Sequence, residues 1–179
     1  DDNNVGNGEF SLREALRLAA PDGTIGFAPN IGGATIQVGT TLPTIDQNLT
    51  IEGLANRPTV SSDDSNPVFD IGGSASDVTI NNLIVLGATT WNAGNTNINL
   101  QGSNSKFGNL TLTGNDITLS GEGADFGPLT LTGNNIIVQE NSFATNFIGN
   151  SDIRGNLEVT SGGPITASDI LDVAGTTTL

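Results

Sequence analysis

Residues 107–119 read FGNLTLTGNDITL, and residues 126–138 read FGPLTLTGNNIIV. Most aligned positions of the two segments are identical or similar. A unit this short cannot bury a core of its own. It is the size of one turn of a solenoid, in which each turn is stabilised by its neighbours. Within each copy the apolar residues alternate. Leu110 and Leu112 point one way, and Thr111 and Thr113 the other. After a Gly-Asn corner the pattern resumes at Ile117 and Leu119, and Leu129, Leu131, Ile136 and Val138 fill the same slots one repeat later. Alternation over a few residues rich in Thr and Ile, bounded by Gly and Asn, predicts short half-buried strands. Stacked about 4.8 Å apart, such strands form the coils of a parallel β-helix.

The composition fits that architecture. Seven Phe, one Trp and no Tyr are few for a 179-residue core, but a β-helix fills its narrow interior with stacked Val, Ile and Leu. The 24 Gly and the many Asn suit tight corners. The expected fold is all-β: a single-stranded right-handed parallel β-helix spanning residues 1–179 as one domain. Right-handedness follows from the preference for right-handed parallel crossovers.

Ser11–Ala20 (SLREALRLAA) is the one convincing helical segment. Ser11 and Glu14 have capping-box spacing. Leu12, Ala15, Leu16 and Ala19 make an apolar stripe, with Arg13 and Arg17 off it. Pro21-Asp22-Gly23 ends the helix. Residues 1–23 are therefore expected to cap the first coil, with coils over 24–179. An uncovered solenoid end exposes apolar residues and strand edges. Further strands are expected at Thr24–Phe27, Thr35–Val38, Leu49–Glu52, Val68–Ile71, Val78–Ile80, Leu83–Leu86, Ile98–Leu100, Leu157–Val159, Ile165–Ala167 and Leu171–Val173, and the final Thr176–Leu179 ends on another apolar residue. Leu54–Asn66, Gly87–Thr96 and Gln139–Ser151 read as loops.

The segment SLREALRLAAPDGTIGFAP (Ser11–Pro29), followed by TIQV and LTIEG, resembles the N-terminal CSLREA-type motif of bacterial surface β-helix proteins, with Phe10 standing where that motif has Cys. The NLTLTG, NLEVTSGGPI and LDVAGTTTL segments are similar to coils of filamentous-haemagglutinin-like exoproteins. The resemblance implies a right-handed β-helix and a structural or adhesive role outside the cell or at its surface, in a filament, sheath or adhesin.

Charge and composition narrow the chemistry. A net charge of −14 with five basic residues disfavours nucleic acid and anionic lipid. There is no Cys, so disulfides and thiol chemistry are absent, and no His, so His-based triads and the usual zinc sites are excluded. The lack of Met reads as a processed N-terminus or excision from a longer chain. No membrane-spanning run is visible. Asp63-Asp64 is the one internal Asp pair, but neighbours on an extended chain point to opposite faces, and a turn role is favoured over catalysis. Arg57, Arg154 and Lys106 are isolated. No catalytic, cofactor-binding or metal-binding residue is assigned, and the chain is read as a non-enzyme.

Calcium is the one cofactor left open, around Asp1–Asp2 or Asp63–Asp64 with Asp70. Asn48 and Asn109 are formal glycosylation acceptors that also read as corner residues. Trp91 is expected to cover a loop seam, the alternative being an exposed indole that stacks on sugar. The leading functional expectation is a structural or adhesive β-helix, with self-association or chain continuation at the C-terminal end and with glycans or receptors as partners. The alternative is a carbohydrate-binding or polysaccharide-lyase-like β-helix. An ice-binding ladder of Thr ranks last, because Thr111/Thr113 and Thr130/Thr132 stack but Glu158 breaks the pattern.

Overall fold

The computed structural model describes residues 10–62 and 66–179. A helix, α1 (Leu12–Leu18), leads into a parallel β-solenoid. The first coil holds β1 (Gly23–Gly26), a 3₁₀ turn (Pro29–Ile31) and β2 (Thr35–Val38). The second holds β3 (Leu49–Glu52), β4 (Thr59–Ser62) and β5 (Phe69–Ile71), and the third β6 (Asp77–Asn81), β7 (Ile84–Leu86) and β8 (Thr89–Asn92). Two coils of two strands follow: β9 (Ile98–Gln101) with β10 (Leu110–Thr113), and β11 (Ile117–Ser120) with β12 (Pro128–Gly133). The chain then forms β13 (Ile136–Glu140), β14 (Thr145–Phe147), β15 (Ser151–Ile153), β16 (Leu157–Ser161), β17 (Ile165–Ala167), β18 (Leu171–Val173) and β19 (Thr177–Thr178).

Three faces run along the solenoid. The first is an eight-stranded sheet in the order β1-β3-β6-β9-β11-β13-β16-β19, which makes about seven turns. The second is β2-β4-β7. Among the described residues it continues as single bridges from Ile84 to Lys106 and from Lys106 to Asp125. The third runs β5-β8-β10-β12, after which β14 and β15 both pair with β12 and are extended by β17 and β18. Every pairing is parallel. The duplicated segments lie in register, with Leu110 against Leu129, Leu112 against Leu131, Ile117 against Ile136 and Leu119 against Val138.

Strict register follows from the period-two pleat. A slip of one residue would turn every Leu outward and every Thr inward. Inside, Leu49, Val78, Leu100, Leu119, Val138 and Val159 form one continuous ladder on the first face. Ile98, Ile117, Ile136 and Leu157 form a second. All of these residues are buried, and each contributes about 1.5–3 kcal/mol from burial alone.

The helix ends two residues before Ala20, the expected end, and its capping box is present. The Ser11 N–H donates to Glu14 Oε2 at 2.8 Å, and the Glu14 N–H donates to Ser11 Oγ at 3.3 Å. Leu12 and Leu16 join the solenoid core, with Ala15 and Ala19 packed against it. Arg13, expected off the apolar stripe, is also buried. Its guanidinium donates to the carbonyls of Thr40 and Thr41 at 2.8 and 2.6 Å, which ties α1 to the first coil.

The three expected loops contain strands, which corrects the sequence reading. β4 lies in 54–66, β8 in 87–96, and β14 in 139–151, with β15 beginning at the last residue of that stretch. These strands carry Thr or Ser at inward or neighbouring positions and so lack a run of alternating aliphatics. They form because adjacent coils already offer a row of backbone donors and acceptors. The Thr59 N–H donates to Ala34 O at 2.8 Å, the Thr89 N–H to Asn109 O at 2.8 Å and the Thr145 N–H to Pro164 O at 3.1 Å.

Candidate functional site

Trp91 lies on β8 and is 1% exposed. It stacks in register between Ile71 and Leu112. It is a core residue, and neither a seam cover nor an exposed sugar platform describes it. Its indole N–H and the hydroxyl of Thr89, two residues earlier on the same inward side, have no hydrogen-bond partner among the described residues.

Asp70 faces outward on β5, where its two carboxylate oxygens accept from the hydroxyls of Thr44 and Thr90, each at 3.0 Å. Asp1, Asp2, Asp63 and Asp64 lie outside the described residues, so the calcium reading acquires no geometry. Among the described residues no three Asp or Glu side chains converge as a metal site would require. Lys106 pairs with Asp125 of the next coil at 3.1 Å. Arg57 sits in a turn at positive φ, and Arg154 is exposed.

The two formal glycosylation acceptors differ. The Asn48 carboxamide oxygen accepts from the backbone N–H groups of Ser76 and Asp77 at 3.1 and 3.0 Å, and its nitrogen donates to Asp22 at 3.3 Å. That side chain is consumed by a corner. Asn109 is exposed.

The same corner device recurs where it was not anticipated. The Asp116 N–H donates to Asn97 Oδ1 at 3.2 Å, the Asn135 N–H to Asp116 Oδ1 at 3.1 Å, the Asn156 N–H to Asn135 Oδ1 at 3.1 Å and the Thr176 N–H to Asn156 Oδ1 at 2.9 Å. Each carboxamide or carboxylate supplies the acceptor for the coil above it. This satisfies a corner amide that no strand reaches. The signal was present in the sequence as Asn97, Asp116, Asn135 and Asn156, spaced 19, 19 and 21 residues apart.

Glu140 was also missed. It is the last residue of β13 and is fully buried. Its Oε1 accepts from the Phe126 N–H at 2.9 Å, and its Oε2 from the Thr145 hydroxyl at 2.8 Å. The preceding coils explain the placement. On the second face the Val85 N–H donates to Lys106 O at 2.7 Å, and the Phe107 N–H to Asp125 O at 2.8 Å. The equivalent amide one coil later is that of Phe126. There the second face ends, and the Glu140 carboxyl takes the place of the missing strand carbonyl. Burial pushes its pKa up. The hydrogen bonds from Thr145 and Phe126 oppose that shift, and the charge of Asp125 adds to it. No feature of the sequence around QENS marks this residue as inward, because a buried Glu is rare.

The outer surface is repetitive. On the third face Asp70, Thr90, Thr111 and Thr130 form one column, and Asn92, Thr113, Thr132, Asp152 and Asp172 a second. The structure thus adds the rung Thr90/Asn92 to the two Thr rungs legible in the sequence. The second column ends in carboxylates, and the first is used up at both ends, where Thr90 bonds Asp70 and Thr130 bonds the carbonyl of Ile148. A shallow groove of about 220 Å³ lies between α1 and Pro43–Gln47, lined by Leu16, Ala19, Ile45 and Leu49 among others. Its lining also includes the charged residues Arg17 and Asp46. Among the described residues no helix is long and apolar enough to cross a membrane.

The described geometry therefore concentrates its polar order along corners and outer columns. Residues 133–179 match a family described as repeats of unknown function (DUF5649). That is about a quarter of the chain, and it begins at the end of β12, where the coil changes shape. No curated protein and no solved structure matches the chain.

Proposed function

We propose that this chain is a non-enzymatic structural or adhesive segment of a bacterial protein displayed outside the cell or on its surface. The carrying observation is the unbroken register of the first face from β1 to β19, backed by the corner ladder from Asn97 to Thr176. Sequence and packing are spent on extending a rod, turn after turn, while the outside stays polar and acidic. A rod of stacked coils carries load along its axis through backbone hydrogen bonds and offers a long surface to receptors or glycans. The likeness of Ser11–Pro29 to the CSLREA-type cap, and of the later coils to filamentous-haemagglutinin-like exoproteins, supports the extracellular assignment. The C-terminal coil presents the unpaired edges of β17, β18 and β19. A further coil of similar repeat, from this chain or another copy, can extend them by strand addition. The carbohydrate-binding or lyase-like alternative loses its aromatic anchor, because Trp91 is buried.

The test is labelling of intact source cells with antibodies raised against the folded chain, followed by protease treatment of unpermeabilised cells. Surface labelling that protease removes supports the proposal. Labelling that appears only after permeabilisation overturns it.

A further inference from the structure

We propose that Glu140 is a pH-responsive latch that closes the end of the second face, joining the coils before Asp125 to the coils after β13. The geometry is specific. Phe126 presents an amide whose equivalents in the two preceding coils, Val85 and Phe107, donate to the backbone carbonyls of Lys106 and Asp125, and here the Glu140 carboxyl is the acceptor. The carboxyl is fully buried, and Thr145, itself fully buried, holds its second oxygen. This partner set serves both protonation states. A carboxylate accepts from both donors. In the protonated acid one oxygen still accepts from the Phe126 amide, while the Thr145 hydroxyl turns round to accept the acid proton.

The surroundings favour the neutral form. From the coil before it, Asp125 is the charged group that acts on Glu140, and Lys106 partly offsets that charge from 3.1 Å. On β16 the registered neighbour is the neutral Ser161. No cation stands against the Glu140 carboxyl among these groups. Burial raises its pKa, so the folded state binds the proton more tightly than the unfolded chain does. Stability of the joint is then greatest in mild acid and is lost as the pH rises through the folded pKa. Above that point the edge at Asp125–Phe126 is held by a buried charge beside another negative charge. It opens more often and presents a free strand edge, the kind of surface that pairs with other chains.

The test is amide exchange of the whole chain by NMR, comparing Phe126 with Val85, the equivalent amide two coils earlier, which donates to the Lys106 carbonyl away from the opening edge. Intrinsic base catalysis cancels in their ratio. The latch predicts that protection of Phe126 relative to Val85 falls as pH rises, by up to about tenfold per pH unit between the unfolded and folded pKa values of Glu140. In Glu140→Gln, which keeps an acceptor for Phe126 and cannot ionise, the ratio should stay flat. A wild-type ratio that does not change with pH overturns the latch, whether or not the variant folds. So does a slope that persists in Glu140→Gln.

Discussion

The coils before Gly114 and those after Asn135 share the first face and little else. In the early part a turn takes 26, 29 and then 22 residues, judged by the corner bonds from Asp22 to Asn48, Asn48 to Asp77 and Asp77 to Asn99. These coils have a true second face and a wide interior, filled in part by Phe69 and Trp91. In the later part a turn takes 21 and then 20 residues. The second face has gone, and the third divides at Ile148–Asn150 into β14 and β15. The two shapes meet across the 19-residue coils, where Phe107 and Phe126 stack with ring centroids 5.8 Å apart and Glu140 closes the second face. One wall with constant register is enough to carry the solenoid, and the rest of the turn can be rebuilt around it. The family match starting at Gly133 coincides with the later shape.

That contrast can be broken at several points, the strongest being backbone contact between coils. A Cβ on Gly108 would stand 2.3 Å from the Gly87 carbonyl oxygen, while one on Gly26 of the first coil meets nothing within 4 Å. Gly108→Ala should therefore cost about 3 kcal/mol or more, and Gly26→Ala should change stability by less than about 0.5 kcal/mol, in urea denaturation. Core position comes next. Leu112 is fully buried at the centre, whereas Leu171 is only partly buried in the last coil. Leu112→Ala is expected to lose about 2–5 kcal/mol and Leu171→Ala about 1 kcal/mol. Equal losses would mean that the last coil is covered in solution.

Corners give a smaller effect. Asn48→Ala removes bonds to two backbone amides and to Asp22, so about 1–3 kcal/mol should be lost, against about 1 kcal/mol for Asn135→Ala, which frees one amide and loses one bond to Asp116. The smallest effect has the opposite sign. Asp152 and Asp172 are both exposed and lie directly opposite each other in register. Asp172→Asn should raise the thermal midpoint slightly, equivalent to about 0.5 kcal/mol at low salt, and the gain should fade in about 1 M salt.

The ladder of the first face was legible in the sequence because its inward slots hold aliphatics at period two. Thr35–Val38, Leu49–Glu52, Ile165–Ala167 and Leu171–Val173 fall at their expected bounds. The helix and its capping box were legible because the cap is a local interaction. β4, β8 and β14 were not, since their stability comes from a neighbouring coil and not from their own residues. Trp91 illustrates the difficulty. A Trp among Thr, Asn and Gly looks like a loop residue until the register sets it between Ile71 and Leu112. Glu140 was invisible for the same reason. Its inward position has meaning only once the second face is seen to end one coil earlier.

A single register-locked wall from one end to the other can be read by residue-resolved hydrogen exchange along the first face. Exchange is expected to be slow without interruption from β3 through β16, with protection falling only at β19 and the exposed edge. A stretch of fast exchange between β11 and β13, with protected strands on both sides, would contradict it, because the early and later coils would then be two separate units with no shared wall.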